Sequence, residues 1–278
     1  MSVSITLPRT TMLTVYADLS QKIDYVRMNN HIASMLERHI SAGLYEDPTE
    51  SSSRLTSKNT KVWLCICPDE LINDSQLVAD IRVISYKNAN GKVRSNFKNQ
   101  ITMKLQNQKQ KQCSSFTFYS SGNKVRINGF KRLEDAVSTL EKILLCLDVS
   151  GSTSCYGVKS NTRVASSKIV LQNSIFYISP PIQLSSLADA LESENNPTWD
   201  VMYNREVGTA LTVRSSGCGR KFTAMITTKG SVTISSVKSD DETAIAFHDI
   251  SSVIRDICGR SAGVGQGPEP AQERASFS

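Results

Sequence analysis

Long hydrophobic runs are missing from this sequence. No stretch approaches the ~18 consecutive apolar residues that a membrane helix needs, so no membrane partner is expected. The opening MSVSITLPRTTM also lacks the basic segment and apolar stretch of a secretory signal, and a cytosolic or nuclear compartment follows as an expectation. Histidine is scarce: His31, His39 and His248 are the three, and none falls in an H-x-x-x-H or H-E-x-x-H pattern. The cysteines (Cys65, Cys67, Cys113, Cys146, Cys155, Cys218 and Cys258) are odd in number and form no C-x-x-C. Cys65 and Cys67 in WLCICP come nearest to a metal pair, but no second pair lies close in sequence, and buried thiols are the simpler reading. GCGRKF carries the glycines of a phosphate loop, yet it joins two strands and opens no helix, so its glycines fit a turn. The carboxylates of DEL and DDE sit in a polar turn or at a helix start, where the helix dipole accounts for them. These absences leave no catalytic constellation, no metal site and no cofactor, and the chain is expected not to be an enzyme.

What is present is a basic chain with enough apolar residues for a core. Of 278 residues 39% are hydrophobic, and the net charge is +6 with an isoelectric point near 8.9. A basic balance favours an anionic partner, because clustered Lys and Arg release counterions from phosphates. The segment TTMLTVYADL (10–19) reads as a strand, and Ser20 is placed to cap a helix carrying Ile23, Val26, Ile32, Met35 and Leu36. Residues 43–60 are polar and Ser/Thr-rich, a loop. KVWLCICP is a strand, and IRVISYKNANGKVRSNFKNQITMKL gives two strands around NANGK and then a third.

Two segments far apart in the chain share one pattern. SSFTFYSSGNKVRINGFKRLEDAVSTLEKILLCL (114–147) and KFTAMITTKGSVTISSVKSDDETAIAFHDISSVIRDIC (221–258) each hold a strand, a Gly turn, an alternating strand and a helix. Phe116 and Phe118 alternate with Thr117 and Tyr119, and Val125 and Ile127 with Lys124, Arg126 and Asn128. Leu133, Val137, Leu140, Leu144 and Leu147 form a helical stripe that must cover a sheet. Residues 150–167 read as a polar linker, KIVLQNSIFYIS as a strand, PPIQLSSLADALES as a proline-led helix and VGTALTV as a short strand. The expected organisation is a first repeat at 1–150 with an insertion at about 43–95, a linker at 151–165, a second repeat at 166–260 and a disordered tail at 261–278. Helices recur on one face only, so the opposite face, rich in Thr, Ser and basic residues, stays open.

This ordered set resembles the TATA-binding protein family, in the style of the divergent members encoded by large nucleocytoplasmic DNA viruses. SKIVLQNSIFYISPPIQLSSLADAL is similar to the strand and helix opening that family's second repeat, including its QN pair. TWDVMYNREVGTALTV stands where the family has its YEPE-F-PG segment, and SSFTFYSSGNKVRINGFK is similar to its hairpin, with Asn123 extra in the turn. The resemblance implies an α+β saddle of two pseudo-symmetric repeats, a curved antiparallel sheet with helices on the convex face. It also implies a transcription initiation factor that meets promoter double-stranded DNA through the minor groove and recruits initiation factors or RNA polymerase. The alternative keeps the fold for protein contact, as a structural or packaging component of a virion. The host nucleus or a cytoplasmic viral factory is the implied location, with packaging in the virion as a further option.

DNA-contacting positions carry over one at a time. The family's minor-groove asparagines fall on Asn173 and on Thr10, where a hydroxyl replaces the amide. Its threonines after the hairpin fall on Asn128 and Ser235, and its wedge phenylalanines on Phe97, Tyr119, Tyr203 and Thr227. Thr227 has no ring to insert, so the resemblance implies that the first half bends DNA more than the second. Lys104, Lys124 and Arg126 are placed to neutralise phosphates. Regular alternation sets Asn173 beside Leu171 and Ile175, an apolar pair, so either a bulge intervenes at Asn173 or Val170, Gln172 and Ser174 form the exposed set instead.

Overall fold

The structure is a computed structural model that describes residues 3–41, 61–67, 69–72, 75–80, 86–87, 93–94, 99–106, 113–148, 155–193, 199–215 and 221–263. Its elements run β1 (Ser4–Ile5), β2 (Arg9–Leu19), α1 (Tyr25–Ser41), β3 (Lys61–Ile66), α2 (Asp69–Ile72), β4 (Gln76–Asp80), β5 (Tyr86–Lys87), β6 (Val93–Arg94), β7 (Gln100–Gln106), β8 (Cys113–Tyr119), β9 (Lys124–Phe130) and α3 (Leu133–Asp148). There follow β10 (Val164–Ser179), α4 (Leu184–Ser193), β11 (Trp199–Tyr203), β12 (Ala210–Ser215), β13 (Thr223–Thr227), β14 (Ser231–Val237) and α5 (Asp240–Gly263). The architecture is a large antiparallel sheet with a few helices, and the chain divides into two compact units. One comprises Thr11–Gln172 and the other Met1–Thr10 with Asn173–Ser278.

In the Thr11–Gln172 unit the strands lie in the order β2-β9-β8-β7-β4-β3. Period-two alternation decides which side is inside: Phe116, Phe118, Val125, Ile127, Ile101 and Met103 are buried together with Met28, Ile32 and Leu36 of α1. From α3 the buried set is Ala136, Leu140, Ile143, Leu144 and Leu147. The stripe is thus rotated from the expected one, with Leu133 and Val137 only half-buried at its edge. Each fully buried Phe, Leu or Ile contributes roughly 1.5–3 kcal/mol, and that term holds the helices to the sheet.

In the other unit β11-β12-β13-β14-β10 form the sheet, with β1 against β10. Leu211, Val213, Ala224, Ile226, Val232 and Ile234 pack with Leu187, Ala188 and Leu191 of α4 and Ala246, Ile250 and Ile254 of α5. The second hairpin therefore buries one side of both strands, as its alternation predicts.

Several expectations change. α1 is capped by Asp24, whose carboxylate accepts the Arg27 N–H at 3.0 Å, whereas the Ser20 hydroxyl accepts the Arg163 N–H at 2.9 Å. An Asp at the N-cap meets an orphan donor as a Ser would, and the chain takes four more residues to reach the helix. NANGK does lie between two short paired strands, with Tyr86 opposite Arg94. Strand β4, which pairs with β7 and β3, had no clear sequence signal. The segment 43–60 and the tail beyond 263 lie outside the described residues.

The largest correction concerns the polar stretch before β10. From Cys155 onward it packs: Tyr156 and Val158 are buried in the first core, and Tyr156 donates its hydroxyl to the Leu64 carbonyl at 2.9 Å. The His31 ring meets the Tyr156 ring edge-on at 4.8 Å. Gly157 has φ +66°, and a Cβ there would lie 2.5 Å from the Asp24 carbonyl oxygen, so only glycine lets this segment reach the start of α1. Serines and threonines hid one aromatic anchor. Tyr156→Phe should cost ~1–3 kcal/mol by leaving the buried Leu64 carbonyl unmet, and Tyr156→Ala ~3–5 kcal/mol, both read by denaturant unfolding. Equal, small losses for the two would contradict the anchor.

Candidate nucleic-acid interface

The face of the Thr11–Gln172 sheet turned away from its core is a polar lattice. Pairing registers place Tyr16, Arg126, Thr117 and Thr102 in one cross-strand row, and Thr14, Asn128, Ser115 and Lys104 in the next. The Thr14 hydroxyl donates to Asn128 Oδ1 at 2.8 Å, and the Asn128 amide donates to Ser115 Oγ at 3.2 Å. Thr102 and Thr117 share a hydrogen bond of 3.1 Å. Thr117 is buried beneath this lattice, while the half-buried Thr14, Thr102, Ser115 and Asn128 lie low and flat and still offer hydroxyl and amide groups to a docked surface.

Above this lattice stand rings and cations. Tyr119, at the end of β8, meets Tyr16 edge-on with ring centroids 6.5 Å apart. Arg126 lies beside Tyr119 and opposite Tyr16, and its Nε is buried with no hydrogen-bond partner among the described residues. Arg126 as a whole is half-buried, and a guanidinium suits an anionic oxygen. Lys124 is exposed and stands opposite Asp18 in the strand register. Asp18 also accepts a hydrogen bond from Ser166 at 2.9 Å. Lys104 lies opposite Ser115, and its β4 neighbour Val78 is fully buried, so the open area stops at β7. Among the described residues of β2, β7, β8 and β9, this face carries Lys104, Lys124 and Arg126 with the carboxylate of Asp18.

The corresponding face of the other unit is different. β12, β13 and β14 present Ala210, Thr212, Arg214, Thr223, Met225, Thr227, Ser231, Thr233 and Ser235, and one register row joins Met202, Thr212, Met225 and Thr233. Met202 and Met225 are 49% and 42% exposed. Arg214 faces Asp200 at 3.9 Å, a solvent-exposed pair worth ~0–1 kcal/mol that cancels the only charges on these paired strands' open side. Thr227 shares a 2.7 Å hydrogen bond with Ser231, and the Ser235 hydroxyl donates to the Thr223 carbonyl at 3.4 Å. On the N-terminal strands Arg9 lies 5.8 Å from the Tyr177 ring centroid and donates to its hydroxyl at 3.4 Å.

The residues expected to meet DNA separate as follows. Tyr119, Asn128, Arg126, Lys124 and Lys104 share one open face, while Thr227 and Ser235 share the open face of the second unit. Thr10 lies half-buried on β2. Asn173 is on the half-exposed side of β10 with Leu171, Ile175 and Tyr177, whereas Gln172, Ser174, Phe176 and Ile178 are buried. No bulge is needed: on this strand the apolar Leu171 and Ile175 are the open set and the polar Gln172 and Ser174 face inward. Tyr203 is a correction. It pairs with buried Leu211 and packs on the second core, so its ring is on the helix side and not free to insert. Phe97 lies outside the described residues.

Sequence reasoning missed Tyr16, Met202 and Val207. Tyr16 was findable, because alternation in MLTVYADL sets it beside Thr14. Met202 was hidden by the more conspicuous Tyr203 next to it. Val207 is 63% exposed in the turn held by Asn204 Oδ1, which accepts the Glu206 and Val207 N–H groups, and an apolar side chain in a tight turn carries no periodic signal.

Elsewhere, His31 is held below its ordinary pKa by burial and then by Arg38, and His248 is exposed. Among the described residues no three His, Cys, Asp or Glu side chains come together as a metal site requires, and no helix is long and apolar enough to cross a membrane.

No family model matches the chain, and no curated protein matches it. Among solved structures, a Methanococcus jannaschii TBP aligns over 90% of this chain and 99% of its own at 15% identity and a TM-score of 0.45. A structure of A. aeolicus tRNASec in complex with M. kandleri SerRS aligns over 99% of this chain and 37% of its own, at 12% identity and a TM-score of 0.24. Neither likeness is close, and the chemistry of the open face stands on its own residues.

Burial raises the Tyr119 phenol above the ordinary tyrosine pKa, its hydrogen bond with Tyr16 raises it further, and Arg126 opposes the rise. A raised folded-state value means the neutral phenol favours the fold. That contribution is full below the ordinary tyrosine pKa of ~10 and is lost as pH climbs through the folded value. Tyr16→Phe should bring the Tyr119 titration down and Arg126→Gln should move it up, as followed by tyrosinate absorbance. A shift of either variant in the opposite sense would break the cluster apart.

Proposed function

We propose that this chain is a TATA-binding-protein-like factor that binds double-stranded DNA through the open sheet face of its Thr11–Gln172 unit and recruits transcription machinery. In this reading the two units are copies of one strand–helix–sheet–helix repeat. The observation that carries it is the Tyr16–Tyr119 pair standing with Arg126 over a flat lattice of Thr, Ser and Asn. Hydroxyls and amides at that depth address the acceptors on a minor-groove floor, where A·T and T·A look alike. Tyr119 supplies the large ring that unstacking a base step requires, and the bent duplex then covers more sheet. Arg126 and Lys104 meet phosphates, and Lys124 contributes less because Asp18 already faces it.

The other unit carries hydroxyls and two methionines, with Tyr203 turned inward and Thr227 where a ring would stand, so it contributes area and little bending. Its exposed Met202 and Met225 favour a second reading for that face alone, as a contact for protein, because thioethers adapt to irregular apolar surfaces. Packaging in a virion belongs to that second reading.

The test is duplex affinity across a salt series. DNA binding requires log affinity to fall steeply with log salt, and Arg126→Gln with Lys104→Gln should flatten the slope by about two contacts. Tyr119→Ala should weaken binding to bendable A·T-rich duplex by ~1–3 kcal/mol and generic duplex by less. A salt-independent affinity, or none, gives the lead to protein contact.

A further inference from the structure

One ring and one cation of the second unit are not used by the duplex reading. Tyr177 lies on β10 between Phe176 and Ile178, which are both buried in the second core. Its ring therefore stands on the opposite side, where β14 presents Ser231 and Thr233, and the residue is 41% exposed. Its backbone is fixed: the Tyr177 N–H donates to Thr6 Oγ1 at 2.9 Å, and the Tyr177 carbonyl accepts the Thr6 N–H at 2.9 Å. Ile178 donates its N–H to the Gly230 carbonyl of the β13–β14 turn at 2.8 Å, which ties this end of β10 to the hairpin. Arg9, exposed at the start of β2, belongs to the same unit. Its guanidinium carbon lies 5.8 Å from the Tyr177 ring centroid, and one terminal nitrogen donates to the Tyr177 hydroxyl at 3.4 Å. Among the described residues no carboxylate forms an ion pair with Arg9.

We infer that Arg9 is a phosphate anchor of the second unit, oriented by Tyr177, and that it takes a backbone phosphate of the bound duplex. This rests on the duplex-binding reading. A guanidinium carries five N–H donors in a fixed fork. The ring and its hydroxyl restrict how that fork turns, and the donors that Tyr177 does not engage suit the two oxygens of a phosphate. Strands β11–β14 offer phosphate only the Arg214–Asp200 pair, in which the carboxylate already answers the guanidinium. Tyr177 is a positioning residue here and not a wedge, because a ring engaged by Arg9 is not free to enter a base step. The second unit then holds the duplex without bending it.

Duplex affinity of the full chain across a salt series tests this, with Arg126→Gln measured alongside. Arg9→Gln should weaken binding roughly tenfold at fixed salt and lower the salt slope by ~0.9, the share of one phosphate. Arg9→Lys should keep the slope and lose part of the affinity, because an ammonium has no planar fork. That variant keeps the test standing if Arg9→Gln disturbs the fold. Arg9→Gln should also cost less in a Tyr177→Ala chain than in the wild type, since the ring acts through Arg9. If the wild type binds with a steep slope that Arg126→Gln lowers and Arg9→Gln does not, the anchor is overturned and the duplex reading stands. Strictly additive losses for Arg9→Gln and Tyr177→Ala would overturn the orienting role of the ring. A wild type with no salt-dependent duplex affinity would overturn anchor and reading together.

Discussion

The core and the candidate interface both depend on the two-residue alternation of the hairpin strands β8–β9 and β13–β14. Each hairpin has one apolar side, and burying that side under α1 and α3, or under α4 and α5, fixes where the other side must point. A slip of one residue would exchange Phe116 and Phe118 for Thr117 and Tyr119 across the whole of β8, so the core and the candidate interface are specified together. The free energy that assembles the core is what lays out the Thr, Ser, Asn and Tyr lattice opposite it. Function is written on the face that packing leaves over.

That face is unequal between the two units. Among the described residues of β2, β7, β8 and β9, the Thr11–Gln172 face has the Tyr16 and Tyr119 rings with Lys104, Lys124, Arg126 and Asp18. The other has an Arg214–Asp200 pair that neutralises itself, two exposed methionines and a run of hydroxyls. In the proposed reading, the cations that would attract phosphate and the rings that would unstack a base coincide on one unit. Asp18 stands opposite Lys124 in the strand register, and Arg126 lies opposite Tyr16 and beside Tyr119.

Both hairpins and their following helices were legible in sequence, because Phe116, Phe118, Val125, Ile127, Val232 and Ile234 alternate cleanly and the Gly turns stop them. The sides of β8, β9, β13 and β14 were legible for the same reason. β10 was not, since Leu171 and Ile175 are apolar on the open side while Gln172 and Ser174 are buried, which inverts the usual rule. Tyr203 misled because pairing register, not residue type, decides a strand's sides: opposite Leu211 it must face the helices. Tyr156 was concealed by polar neighbours, since one buried ring in a stretch of serines has no period to reveal it.

The central claim is that one open sheet face, and not the helices, receives duplex DNA. Titrating a short A·T-rich duplex into isotope-labelled protein and following backbone and side-chain NMR signals addresses this residue by residue. Shifts concentrated on Tyr16, Thr102, Ser115, Tyr119, Arg126 and Asn128, with α1 and α3 unmoved, are the result the account predicts. Shifts confined to the helices, or the same pattern with added salt as without it, would contradict it.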